Sequence, residues 1–207
     1  MNCGIAIVAA GLSGCAYVQT DVRVSGAAEP FEAGRTYELA RTSPQAADPA
    51  HERYESRVRE ELAGYGFVEA SPDPAHHPQY LVSIAYDTHP VSVSVKEGDC
   101  GSAGARAAGD TDTPGCLPVE ARRATGHGHY EHSLTLRFFD WAAGREIYKV
   151  STTERNGDED AAGATPYLVK SALARFPYAG YPDWRVKLRA AGASGLPDVV
   201  SVTPLTK

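Results

Sequence analysis

Apolar residues recur along this chain with two spacings, and the switches between them lay out the elements. Val18, Thr20, Val22 and Val24 alternate with polar positions and predict a half-buried strand from Tyr17 to Val24. Glu29-Pro30 and Gly34 punctuate a turn, and Thr36-Tyr37-Glu38-Leu39 predicts a short second strand. A polar connection from Thr42 to Asp48 ends in Asp48-Pro49. That pair suits a helix start, because Asp accepts an orphan amide and Pro has none to lose. Tyr54, Val58 and Leu62 then recur every four residues, with Tyr65 three further on. Glu55 with Arg59, and Arg57 with Glu61, form pairs expected on the wet side of this helix, and Gly64 and Gly66 stop it.

Beyond Phe67 and Val68, which begin a brief strand, Tyr80, Val82, Ile84 and Tyr86 alternate cleanly until Pro90 interrupts. Val91, Val93 and Val95 alternate again. Residues 98–126 lose all periodicity and predict a surface excursion, since loops of that length are uncommon in a compact domain. Tyr130, His132, Leu134, Leu136 and Phe138 share one face of a strand, and Arg145 to Glu154 returns as its hairpin partner across a turn at Asp140 to Gly144. Thr165-Pro166 predicts a second capped helix with the stripe Val169, Ala172, Leu173 and Phe176, ended by Pro177. Trp184, Val186 and Leu188 offer a last strand, and residues 191–207 read as a loose tail. Two helices with one apolar stripe each, and strands with one apolar face, imply an α+β fold: two layers, a mainly antiparallel sheet with both helices on one face.

Composition fits a single domain with appendages. The 207 residues are 43% hydrophobic and 22% charged, ordinary values for a globular protein. A net charge of -6 argues against a nucleic-acid partner, which calls for a basic face.

The first residues change the picture most. An apolar run from Cys3 to Leu12, of signal-peptide length and too short to span a bilayer, leads into Leu12-Ser13-Gly14-Cys15. This matches a bacterial lipobox, in which the Cys15 thiol receives a diacylglycerol and cleavage makes the cysteine an acylated N-terminus. No Lys or Arg precedes the run, a departure that a start codon further upstream would explain. Residues 1–14 are therefore expected to be a lipoprotein signal peptide and residues 15–190 the domain, anchored to the membrane through its acyl chains. Ala16, rather than Asp, follows the cysteine and implies the periplasmic face of the outer membrane. With Cys3 removed and Cys15 acylated, Cys100 and Cys116 remain, an even pair suited to an oxidising compartment. A disulfide closing a loop of about 15 residues stabilises by roughly 3 kcal/mol in the chain-entropy model.

In order, the lipobox, Phe31…Thr36-Tyr37, an Arg/Glu-rich helix running into Gly64-Tyr65-Gly66-Phe67, Tyr80-Leu81-Val82, the hairpin Leu134 to Tyr148 and the closing Leu173-Ala174-Arg175-Phe176-Pro177 form a recognisable series. It resembles the bacterial lipoprotein family catalogued as domain of unknown function 4136, over about residues 17–188. The resemblance implies a small antiparallel sheet backed by two helices on a lipoprotein. It carries no catalytic residues, and the excursion between Cys100 and Cys116 departs from the family's compactness.

Candidate chemistry concentrates in Gly126-His127-Gly128-His129-Tyr130-Glu131-His132. On a strand His127, His129 and Glu131 share a face, and two imidazoles with a carboxylate are a credible zinc set. The polar side of a one-sided sheet needs such residues in any case, and His132 falls on the apolar side as a core histidine. His76-His77 joins only if the fold brings that turn close. Asp158-Glu159-Asp160 lacks the spacing of a calcium loop and reads as a solvated connection. Tyr178, Tyr181 and Trp184 read as cover for the core rather than as a partner surface. No cofactor is expected. The leading expectation is a non-enzymatic envelope lipoprotein that binds an envelope component or protein partner in the periplasm. Its rivals are an accessory subunit of an envelope transport system and a metal-dependent hydrolase using His127, His129 and Glu131.

Overall fold

The computed structural model describes residues 17–26, 31, 35–71, 77–91, 129–190 and 196–206. In chain order the elements are β1 (Tyr17–Gly26), β2 (Thr36–Ala40), α1 (Ser43–Ala46), α2 (Pro49–Gly64), β3 (Val68–Glu69), β4 (Tyr80–Pro90), β5 (Tyr130–Asp140), β6 (Arg145–Asn156), α3 (Thr165–Leu173), β7 (Asp183–Arg189) and β8 (Asp198–Pro204). One sheet holds all eight strands in the order β3-β2-β4-β5-β6-β1-β7-β8. Strand β2 runs parallel to β3 and β4, and every other pairing is antiparallel. Parallel neighbours need a crossover, and α2 supplies the one from β2 to β3. The mainly antiparallel α+β fold expected from the apolar pattern is the fold observed.

The period-two alternation settles which face is covered. Val22, Val82, Ile84, Leu134, Leu136, Phe138, Val150, Val186 and Leu188 are all buried. Against this face lie Tyr54, Val58 and Leu62 of α2 and Leu168, Val169, Ala172 and Leu173 of α3. At one end the core is aromatic: the ring of Phe176 lies 4.9 Å from Phe31, 5.1 Å from Phe138 and 5.2 Å from Tyr148, centre to centre. Such contacts add roughly 0.5–1.5 kcal/mol per pair beyond the area they bury. Trp184 and Tyr178 are buried while Tyr181 is 46% exposed, so two of those three aromatics close the core as expected. Gly26, at φ +107°, ends β1 where a Cβ would stand 2.7 Å from the Ile147 carbonyl oxygen.

Several sequence expectations need correction. Within the expected tail, residues 198–204 are not loose: β8 pairs antiparallel with β7, and Val199 and Val202 pack on the core. A register shift between Lys187 and Leu188 lets two valines three residues apart face inward, which breaks the alternation that would have announced the strand. The connection before α2 contains the short helix α1, so the described residues form three helices rather than two. Asp48 caps α2 as expected, accepting from Ala50 N at 2.8 Å. Thr165, in contrast, lies inside α3, whose N-cap is Ala164, and its hydroxyl donates to Ala161 O at 2.9 Å. On α2, Glu55 is buried rather than wet, Arg57 pairs with Glu60 at 3.0 Å, and Glu61 pairs with Lys170 of α3 at 2.9 Å. The last pair joins the two helices.

Candidate functional site

Because both long helices pack on one side, no described helix covers the other side of the sheet. Over β6, β1 and β7 this outer face forms an open concavity of about 710 Å³. Most of its lining comes from odd-numbered positions of these three strands, with Glu131 of β5 beside them. Charges there are matched across strands: Arg23 Nε meets Asp183 Oδ1 at 3.0 Å, Arg185 Nε meets Asp21 Oδ1 at 2.9 Å, and Arg155 Nε donates to Glu131 Oε2 at 2.7 Å. Exposed pairs of this kind each contribute roughly 0.2–1 kcal/mol, so they organise the surface more than they stabilise it. Ser151 and Thr135 share a hydroxyl contact of 2.9 Å beside them. The ammonium of Lys149, in the same lining, has no carboxylate partner among the described residues.

Of the residues singled out in sequence, Glu131 belongs to this face, held by Arg155 and 3.6 Å from His89 Nε2. His129 is exposed at the start of β5, where its carbonyl accepts from Val91 N at 2.9 Å. His127, His76, Cys15, Cys100 and Cys116 lie outside the described residues. Among the described residues no three His, Cys, Asp or Glu side chains are grouped to hold a metal ion. His77 stacks on Trp141 at a ring separation of 5.0 Å, just past the far end of β5. Eleven residues of strand, about 35 Å, thus separate it from His129. His132 is the core histidine expected: Nε2–H faces Asn156 Oδ1 at 3.1 Å and the Asp158 carbonyl at 2.9 Å, and Nδ1 meets Thr88 Oγ1 at 2.9 Å. The neighbouring Asp158 and Asp160 accept from the backbone amides of Asp160 and Ala162, which makes the acidic loop a run of turns.

A second polar cluster escaped the sequence reading. The connection from β2 to α2 lies along the flank of α2 and leaves a cleft of about 300 Å³, lined among others by Arg41, Asp48, His51 and Arg59. At its floor Glu55 takes a two-pronged bond from Arg41, a 3.3 Å contact from Arg59 Nη2 and a 3.1 Å approach of His51 Nε2. Burial pushes the Glu55 carboxyl up, but the hydrogen bonds and charge of Arg41, helped by Arg59, outweigh it and hold the group below its ordinary value. Beside it the Tyr86 hydroxyl donates to Asp48, and the rings of Tyr86 and Tyr54 stack at 4.4 Å. That hydrogen bond and the Ala50 amide lower the Asp48 carboxyl. Spacing within α2 announced only the Glu55–Arg59 pair; Arg41 reaches Glu55 from the connection after β2, and no spacing within the helix points to it.

A one-sided sheet with a polar, concave outer face and helices behind it defines the chain as a two-layer α+β protein. It belongs to the family described as Domain of unknown function (DUF4136), which matches residues 18–178. No curated protein matches the chain. Among solved structures, it is similar to a PDZ domain protein from Parabacteroides distasonis, at 14% identity and a TM-score of 0.46. That match covers 84% of this chain but 40% of that protein. It is also similar to two PelC dodecamers from Paraburkholderia phytofirmans, each at 14% identity over 75% of this chain and 95% of the other, with TM-scores of 0.40 and 0.43.

Proposed function

We propose that the chain is a lipoprotein of the bacterial outer membrane, acylated at Cys15, that holds a binding domain in the periplasm and catalyses no reaction. The observation that carries the binding part is the outer-face concavity. Its rungs of matched charge present fixed donors and acceptors to a polar partner, with Lys149 left to meet an anionic group. The anchor rests on Leu12-Ser13-Gly14-Cys15 behind an apolar run, and a disulfide between Cys100 and Cys116 suits the same compartment. A structural role for the buried titratable groups is in keeping with this: Glu55 is committed to Arg41 and Arg59, and His132 to Thr88 and Asn156.

The test is photo-crosslinking in the native host, with a photoreactive residue at Ser151 in the concavity or at Glu60 on the exposed side of α2. A discrete adduct from Ser151 alone supports the proposal. The same adducts from both positions, or none from either, refute it. An adduct with an integral transport protein would make the chain an accessory subunit of that system.

A further inference from the structure

The strand that follows the acylation site is central in the sheet, and this fixes more than attachment. Only Ala16 separates Cys15 from Tyr17, so at full stretch about 7 Å of chain joins the lipidated residue to β1. From Tyr17 onward β1 is locked in register, with Tyr17 opposite Arg189 of β7. A tether this short cannot let the domain tumble. We propose that the end of the sheet at Tyr17 rests on the headgroup layer of the bilayer that holds the acyl chains, a proposal that depends on the acylation reading above.

Strand register places the components of that end. Asp21 faces Thr153 and Asn156 faces Tyr130, so Tyr17 lies level with the end of β6 and the start of β5. Val91, bonded to His129, and Leu196, two residues before β8 begins opposite Arg189, belong to the same end. Tyr17 is 45%, Leu196 43% and Val91 40% exposed, large apolar groups otherwise wasted on water. On the outer face Lys187 lies 4.1 Å from the centre of the Tyr17 ring, and Arg189 stands opposite Tyr17. Neither cation has a carboxylate partner among the described residues, unlike Arg23, Arg155 and Arg185 on the same face.

An amphipathic tyrosine with long cationic side chains beside it is suited to the boundary between headgroup phosphates and acyl chains. Among the described carboxylates of this end, Asp158, Glu159 and Asp160 follow β6 toward α3, where Asp158 and Asp160 form turns, while on the outer face Glu131 is held by Arg155 and Asp198 stands opposite Arg189. With Lys187, Arg189 and Arg155 against Glu131 and Asp198, the outer lip keeps a positive excess among the described residues; it therefore settles toward the lipid phosphates and the acidic helix side tilts away, which turns the concavity of β6, β1 and β7 toward the membrane.

The full chain, isolated from host membranes with its acylation confirmed by intact mass, is reconstituted in phosphatidylethanolamine–phosphatidylglycerol vesicles. A photoreactive residue is placed at Leu196, or at Tyr181, which is exposed at the opposite end of β7. Lipid adducts should form at Leu196 and not at Tyr181. In the Leu196 background, Lys187→Glu with Arg189→Glu should lower the yield about fivefold or more. Acylated protein that labels equally at both positions, or more at Tyr181, overturns the orientation and leaves the anchor standing. A chain whose mass shows no acylation removes both.

Discussion

Replacing Glu55 with Gln preserves the volume of a side chain that is 1% exposed and removes only its charge. In the folded protein that charge holds two nitrogens of Arg41 and one of Arg59, with His51 alongside. Deleting one partner of a buried ion pair costs roughly 3–5 kcal/mol when the other is left stranded. Here Arg41 is 46% and Arg59 33% exposed, so both cations regain water and the penalty falls to about 2–3 kcal/mol. The pH dependence carries the sharper signature. A carboxyl held below its ordinary value stabilises the fold above the unfolded-state value, about pH 4.3, and that contribution is lost as pH falls through the folded value. Urea denaturation of wild type and Glu55→Gln at pH 7 should differ by about 2–3 kcal/mol, and the gap should narrow once the pH drops below about 4. Equal stability at pH 7, or a gap unchanged into the acid range, would refute the role given to Arg41 and Arg59.

Glu154 has the opposite sign: burial raises its carboxyl, against the charge of His132 and the Asn156 hydrogen bond. Its ionisation therefore weakens the fold as pH rises through the raised value, and Glu154→Gln should be more stable than wild type at pH 7, with the difference vanishing in acid; a lower urea midpoint at pH 7 counts against this. His132→Phe should cost about 1–3 kcal/mol, because Thr88, Asn156 and the Asp158 carbonyl lose a fully buried partner, and an unchanged midpoint would show those bonds to be idle. For the zinc set His127, His129 and Glu131, calorimetric titration of metal-free protein should detect no site, since Arg155 holds the Glu131 carboxylate; stoichiometric zinc uptake abolished by His129→Ala would reverse that expectation.

The period-two runs made β1, β4, β5 and β6 legible because each buries one face, and a hairpin as local as β5–β6 announces itself through its turn. Order in the sheet was not legible. Nothing in the run from Val18 to Val24 says that β1 lies between β6 and β7, or that β2 joins β4 in parallel. Edge strands were the weakest signal: β8 is short, half-exposed and interrupted by a bulge, so its valines lose their alternation. Side-chain chemistry followed the same logic. His132 could be placed in the core by its parity with Leu134 and Leu136, whereas Glu55 looked solvent-facing because Arg41 reaches it from outside the helix. The concavity of the outer face draws on three strands whose adjacency only the fold reveals.

The most direct measurement is the intact mass of the mature protein, taken from native host membranes without reductant. An acylated chain beginning at Cys15, lighter by two hydrogens for a Cys100–Cys116 disulfide, is the predicted result and would support anchor and compartment together. A mass equal to the full chain with no lipid would contradict the proposed anchor, and the envelope location and membrane-facing orientation with it.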